Sequence, residues 1–493
     1  MSARADTRVR PYPMAPTWTD AEIRRIGYRV VDLIAEHLTR LRDDPVFRPV
    51  PPDLQDQFHS TPAPAAGATA DDILREFRDR IEPFPFGNGH PRFWAWVNSP
   101  PAVMGIFADA LAAAMNPSCA GGNHAPIYVE RQVTGWFREM LGLPAEAKGL
   151  LVSGGSMATL TALGVARHVK SGVDVRANGL RGAAHPFAFY LTSESHGCVR
   201  KAIELLGFGS AAIRTIPTGS DYRMNVGALD AALAEDRARH ITPIAVIASA
   251  GTTNTGAIDD LDAIGEICRR HDAWFHVDAA YGGPAILADE YADRLRGLGV
   301  ADSVALDPHK WLFVPVEAGL VFVRDAEAMR SAFSLVPPYL RTDGSTTGVG
   351  GPPWFSEFGF QQTRGFRALK VWMAMKEFGL AGYKAVIEEN LALAAYLADR
   401  VRSSPDLGLT APPSLSVVCF RLLGRDLGDE EAIAALNRVV LERLQLGGEA
   451  FLSSTELRGQ FTLRACIVNY RSTRQDIDRM LEALRAIAAD ATT

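Results

Sequence analysis

The feature that most constrains the fold is an alternation in the middle of the chain. Short apolar runs, among them Phe187–Leu191, Ile244–Ala248, Trp274–Val277 and Ser303–Leu306, are separated by amphipathic helical stretches such as Asp260–Arg270. Such runs have no polar face to turn to water and must be covered on both sides. Strand, helix, strand is the pattern of a buried, mostly parallel sheet with helices on both faces. The chain is therefore predicted to be α/β, and 493 residues suffice for such a core plus smaller units.

The flanks read differently. After Thr19, the residues Ile23, Ile26, Val30, Ile34, Leu38 and Leu41 recur at steps of three and four, which predicts a helix with one apolar stripe. Thr19 and Glu22 have capping-box spacing. Proline-rich Pro45–Ala66 predicts extended chain, and a second helix is expected from Asp71 to just before Pro83. Neither helix can bury its stripe alone, so this unit must pack on the rest of the chain or on a second subunit. Beyond Lys376, helical patterns at Tyr383–Ser403 and Asp429–Leu444 alternate with strand-like Ser416–Leu422 and Gln460–Val468, as in a smaller α+β unit. The stretch Pro337–Pro353, rich in Gly, Thr, Ser and Pro, is too long for a tight turn and is expected to be a mobile loop.

Bulk properties exclude several function classes. A net charge of −6 is mild for this length and points to neither nucleic acid nor an anionic membrane. Cys119, Cys198, Cys268, Cys419 and Cys466 are scattered and odd in number, with no CxxC pair. They predict neither a disulfide framework nor a metal site, and fit a reducing cytoplasm. Met1–Pro16 lacks the apolar run of a signal peptide, and no stretch is apolar enough to span a bilayer.

The candidate chemistry sits where strands end. Ser153-Gly154-Gly155-Ser156 lies between the apolar Gly149–Val152 and the helical Met157–Lys170. Small residues at a helix N-terminus let backbone N–H groups approach an anion, although a capped strand-to-helix turn looks the same. Asp278, in His276-Val277-Asp278-Ala279-Ala280-Tyr281-Gly282-Gly283, follows a buried run. A buried carboxylate wants a partner, and a protonated pyridine nitrogen would serve; capping of the next turn is the alternative. Lys310, in Asp307-Pro308-His309-Lys310-Trp311, follows another strand. If buried it should have a lowered pKa and act as a neutral nucleophile; otherwise it is a surface lysine. His196, after Phe187–Leu191, offers an imidazole that can stack on a ring or simply cap a helix, and Thr253 offers a hydroxyl at a strand end. In a parallel sheet these positions converge on one edge. A phosphate cradle, a stacking imidazole, a pyridinium partner and an amine are what pyridoxal 5'-phosphate (PLP) requires.

At these residues the chain resembles the group II PLP-dependent amino acid decarboxylases, and within them the aromatic L-amino acid decarboxylase branch. The resemblance also takes in His90-Pro91-Arg92-Phe93, Phe366-Arg367-Ala368-Leu369-Lys370-Val371-Trp372 and Leu457-Arg458-Gly459-Gln460-Phe461. It implies the aspartate aminotransferase type of PLP-dependent transferase fold (fold type I), with a seven-stranded, mostly parallel central sheet. It further implies a helical dimerisation segment over 1–95, a large PLP-binding domain over 96–375 and a small α+β domain over 376–493. The assembly implied is a homodimer with shared active sites. Lys310 is implied as the residue that carries PLP covalently, Asp278 as the partner of its pyridine nitrogen and His196 as the group stacked on its ring. Gly155 and Ser156 match phosphate contacts, His309 the residue beside the lysine, and Thr253 and Ala280 neighbours of the ring.

The resemblance bears on the reaction too. Tyr339, in Val336-Pro337-Pro338-Tyr339-Leu340, matches the loop tyrosine that reprotonates the substrate carbon. Relatives with Phe there tend to be oxidative aldehyde synthases, so Tyr339 with His196 favours simple decarboxylation. Asp307 departs from an Asn common near the phosphate, and is expected to be turned away or protonated. Thr363 replaces a Gly or Ser at the dimer interface. Trp96 and Ser99 match substrate-pocket positions, whereas Ser118, Ala120 and Gly122 stand where relatives carry larger side chains. The expected function is decarboxylation of an aromatic L-amino acid. An oxidative aldehyde synthase, a decarboxylase of an acidic or diamino acid, and an inactive PLP-binding regulator remain as alternatives.

Overall fold

A computed structural model describes residues 18–336, 354–424 and 429–492. The chain forms two compact units that divide between Gly87 and Asn88.

The first unit is helical. The helix Asp20–Arg40 opens on the expected box: Thr19 Oγ1 accepts from the Glu22 N–H at 3.3 Å, and the Glu22 carboxylate accepts from the Thr19 N–H at 2.8 Å. None of its residues is buried, and Ile23, Tyr28 and Val31 are exposed. The stretch expected to be extended instead contains a helix, Pro52–Ser60. Pro52 stands at its first position, where a missing N–H costs nothing and a fixed φ is already helical. A third helix, Ala70–Glu76, runs into a π-helical turn, Phe77–Ile81, that stops short of Pro83. Asp71 on the third helix binds the Arg25 and Arg29 guanidinium groups of the first.

The second unit is built on a seven-stranded sheet. Its strands are β1 (Lys148–Val152), β2 (Phe187–Leu191), β3 (Ile213–Thr215), β4 (Thr242–Ser249), β5 (Trp274–Asp278), β6 (Ser303–Leu306) and β7 (Gly319–Val323), in the order β1-β7-β6-β5-β4-β2-β3. Neighbours pair in parallel except at β7, which is antiparallel to both β1 and β6. Six strands therefore end, and β7 begins, at the same edge. The inner strands β4 to β7 are buried almost throughout, as their unbroken apolar runs require. The helix Gly155–Lys170 packs across them through small side chains, among them Ala158, Ala162 and Ala166, which are fully buried.

A second core belongs to the end of the chain. There β8 (Leu407–Leu409), β9 (Val417–Leu422), β10 (Ser453–Leu457) and β11 (Gln460–Cys466) form an antiparallel sheet in the order β10-β11-β9-β8. The helices Glu430–Leu446 and Arg474–Thr492 contribute Val440, Leu444, Ile477 and Leu481 to its core. The long helix Arg367–Arg402 leaves helical geometry at Gly379 and carries Leu393, Leu397 and Val401 into the same cluster. The stretch Pro337–Pro353 lies outside the described residues, and among the described residues no helix is long and apolar enough to cross a membrane.

Candidate active site

The carboxyl edge of the large sheet opens on a cavity of about 440 Å³. Every strand except β3 has a loop there. β1 passes into Ser153-Gly154-Gly155-Ser156, and Gly154 caps the helix that follows. A Cβ on Gly155 would meet Asp307 Oδ2 at 2.9 Å and Ala280 Cβ at 3.2 Å, so only a glycine leaves this space open. β7 comes equally close. Gly319 pairs with Val152, and a Cβ on it would lie 2.3 to 2.5 Å from Gly154 backbone atoms.

After β2, His196 caps the helix Gly197–Leu205. Its Nδ1 accepts from the Cys198 N–H at 3.2 Å, which places the ring proton on Nε2. Capping and a place on the cavity are thus compatible roles. β5 ends on Asp278, whose Oδ1 accepts from the Ala280 N–H at 3.1 Å. Two residues back on the same strand, His276 is buried, with Nδ1 2.9 Å from Ser303 Oγ. Burial, against the opposing pull of Asp278, lowers the His276 pKa to about 4, so this ring is neutral. Beyond β6, Lys310 Nζ lies 3.0 Å from Asp307 Oδ2, and His309 Nδ1 lies 2.7 Å from the Ala318 carbonyl.

One expectation is corrected here, and of the two alternatives for Asp307, turned away or protonated, the first is removed. Burial does pull the Lys310 pKa down, but the charges of Asp307 and Asp278 outweigh it and the net shift is upward. Lys310 is therefore an ammonium held by carboxylates, not a neutral amine. Nor is Asp307 turned away from the cradle: it is buried, faces Gly155 and leaves Oδ1 without a hydrogen-bond partner.

Nine predicted residues line the cavity together: Gly155, Ser156, His196, Thr253, Asp278, Ala280, Asp307, His309 and Lys310. Ser99 lies beside it, where its hydroxyl donates to the His309 carbonyl at 3.3 Å. Trp96, Ser118, Ala120, Gly122 and Thr363 do not line it within one chain. Trp96 is 44% exposed, and its ring lies about 6 Å from those of Phe93 and Phe451. Thr363 and Ser118 are exposed. Tyr339 lies outside the described residues. The cavity also takes in Glu317 and Cys198, which sequence reasoning missed. Burial, and then the Asp278 charge, push the Cys198 thiol up to about 11. Its position two residues after His196 was the available signal.

The donor set fits PLP. The open space at Gly155 leaves room for a phosphate at a helix N-terminus, Asp278 offers a carboxylate to a ring nitrogen, and Lys310 offers an amine to an aldehyde. Among the described residues no cluster of side chains could hold a metal.

Comparison with known proteins agrees. The family model described as the pyridoxal-dependent decarboxylase conserved domain matches residues 51–423. The chain is 34% identical over 471 residues to an aromatic-L-amino-acid decarboxylase of Bacillus atrophaeus, covering 95% of this chain and 96% of that protein. It is 35% identical over 409 residues to an L-2,4-diaminobutyrate decarboxylase of Rhizobium meliloti, covering 82% and 79%. The crystal structure of Oryza sativa TDC with PLP and tryptamine superposes with a TM-score of 0.88 at 28% identity, over 97% of this chain and 100% of that one. The chain belongs to the pyridoxal-dependent decarboxylases: it is a PLP enzyme, a carboxy-lyase acting on an amino acid.

Proposed function

We propose that the substrate is an aromatic L-amino acid, released as its amine and carbon dioxide. The observation that carries the reading is the meeting of Lys310, Asp278 and the Gly155 cradle on one cavity, in a chain with a full-length aromatic relative. When bound, PLP supplies an aldehyde that bonds to amines and a ring that takes up the electron pair left by the departing carboxylate. Lys310 carries the cofactor and must first lose a proton held on Nζ by Asp307 and Asp278. Asp278 would keep the pyridine nitrogen protonated, His196 would cover the ring, and Thr253 and Ala280 would border it. Gly155 and Ser156 would hold the phosphate, with Asp307, His309 and Thr363 around it. Tyr339 delivers a proton to the substrate α-carbon.

The working unit is a cytoplasmic homodimer with shared sites. The unburied apolar residues of Asp20–Arg40 support it, since such a face needs a cover. On this reading Trp96, Ser99, Ser118, Ala120 and Gly122 bind the substrate, some of them across the subunit boundary. Residues 1–95 form the dimerisation segment, 96–375 the PLP domain and 376–493 the small domain.

A second reading, a diamino acid as substrate, is favoured by Asp278 and Asp307, two carboxylates beside the one lysine among the described residues of the cavity. The holoenzyme should be screened against the common amino acids, hydroxylated aromatics and 2,4-diaminobutyrate, with carbon dioxide, amine, aldehyde and hydrogen peroxide all measured. Aromatic amines as the main products, lost in Lys310→Ala, support the proposal. Preference for a diamino acid would overturn the substrate, and aldehyde with peroxide would overturn the reaction. Tyr339→Phe should divert product from amine to aldehyde; an unchanged ratio removes Tyr339 from the mechanism.

A further inference from the structure

The charge balance of the cavity is unfavourable for an anion. Asp278 and Asp307 line it, and among its described residues Lys310 is the one Lys or Arg; Glu317, also on its lining, is exposed and paired with Arg367 at 2.9 Å. Beside Asp307, its own segment supplies Lys310 at 3.0 Å and His309 at 3.9 Å, and the same cavity is lined by Asp278 at the end of β5, by His196 and Cys198 after β2, and by Glu317, which pairs with Arg367, before β7. The Asp307 side chain is 3% exposed. Its Oδ2 pairs with Lys310 and bounds the space beside Gly155, and its Oδ1 has no hydrogen-bond partner. A phosphate dianion seated at this helix N-terminus would meet a carboxylate at close range, with Lys310 as the one Lys or Arg among the described residues of the cavity.

We propose that Asp307 takes up one proton as the phosphate of PLP enters, turning from the counter-ion of Lys310 into a carboxylic acid that donates to a phosphate oxygen. The inference rests on Lys310 as the residue that carries PLP. The balance is simple. Condensation of the Lys310 ammonium with the aldehyde expels one water and leaves one positive charge on nitrogen, so the proton on Asp307 comes from solvent. Loading is then linked to pH through the phosphate. Because loading takes up a proton, it weakens as pH rises, by up to about tenfold in the dissociation constant per pH unit. Asp307 is a positioning residue in this scheme, and acts before any substrate binds.

The test compares PLP with pyridoxal, which has the same ring and aldehyde but no phosphate. Each is titrated into wild-type apoprotein and Asp307→Asn by calorimetry at pH 8 to 9, in buffers of different ionisation enthalpy. The difference between the two ligands cancels proton changes at Lys310. Wild type should take up one proton more with PLP than with pyridoxal, and Asp307→Asn should show no difference. Equal uptake of the two ligands by wild type overturns the proposal even if the variant fails to fold, and so does an excess that survives in Asp307→Asn. A covalent absorbance band that forms with neither ligand refutes the anchoring role of Lys310 instead, and the proposal with it.

Discussion

The segment carrying Thr363 is tied to the site through a buried ion pair, and Glu130→Gln tests what that tie is worth. The Arg364 guanidinium donates to both Glu130 oxygens, to the Cys119 carbonyl at 2.8 Å and to the Leu151 carbonyl at 2.6 Å. Glu130 also accepts from the Leu151 N–H at 3.2 Å. The two side chains are 2% and 1% exposed. Gln keeps the shape and one acceptor oxygen but removes the charge, which leaves a guanidinium buried without a counter-ion. Removing one member of such a pair costs about 3–5 kcal/mol. Because two carbonyls still accept from Arg364, the loss should fall near the lower end, about 3 kcal/mol, or on the order of 100-fold in the folding equilibrium. Urea unfolding of the apoprotein, followed by both circular dichroism and tryptophan fluorescence, measures it and shows whether one transition suffices. Arg364→Met should cost a similar amount, and the double variant clearly less than the sum, since no charge is then stranded. Glu130→Gln within about 0.5 kcal/mol of wild type, or strictly additive penalties, would refute the argument.

Two further outcomes follow from the same geometry. Gly319→Ala puts a methyl group 2.3 to 2.5 Å from Gly154 backbone atoms, which cannot step aside as a side chain would. It should cost about 1–3 kcal/mol in apoprotein unfolding and weaken PLP in a fluorescence titration, and no change in either would dismiss the close approach. His276 has a folded-state pKa near 4 against an ordinary 6.5, so between those values the unfolded chain binds the extra proton. Its contribution is intact above about pH 6.5 and is lost as pH falls toward 4, worth about 3 kcal/mol over that window. In urea unfolding at pH 4.5 to 7.5, His276→Gln should flatten this slope, and parallel curves for variant and wild type would count against a neutral buried ring.

What could be read in advance was what is local. A short apolar run announces a buried strand whatever surrounds it, so β2 and β6 were bounded at their observed ends. Parallel strands then bring their carboxyl ends together, so residues just after them, Ser156, His196, Thr253, Asp278 and Lys310, were predicted to share an edge and do. What escaped depends on partners distant in the chain. The antiparallel β7 is as apolar as its neighbours, and nothing in a five-residue run says which way it will pair. Glu130 and Arg364 stand 234 residues apart and have no motif.

Lys310 makes the point most sharply. Burial was foreseen and does act in the expected direction, yet the result is reversed by Asp307, three residues before it, and by Asp278, on a different strand. Burial alone would have given a lysine ready to attack. Burial beside two carboxylates gives one that must first be relieved of a proton. The strength of an ion pair inside a protein depends on which opposing charges share the same low-dielectric space. A sequence names those charges and their order; Asp307 meets Lys310 at 3.0 Å within one segment, and only the closed sheet brings the end of β5, with Asp278, to the same cavity. The same carboxylate that restrains Lys310 bounds the space left open by Gly155. Activation of the amine and admission of the phosphate are therefore one electrostatic problem, and a substitution at Asp307 should never change one without the other.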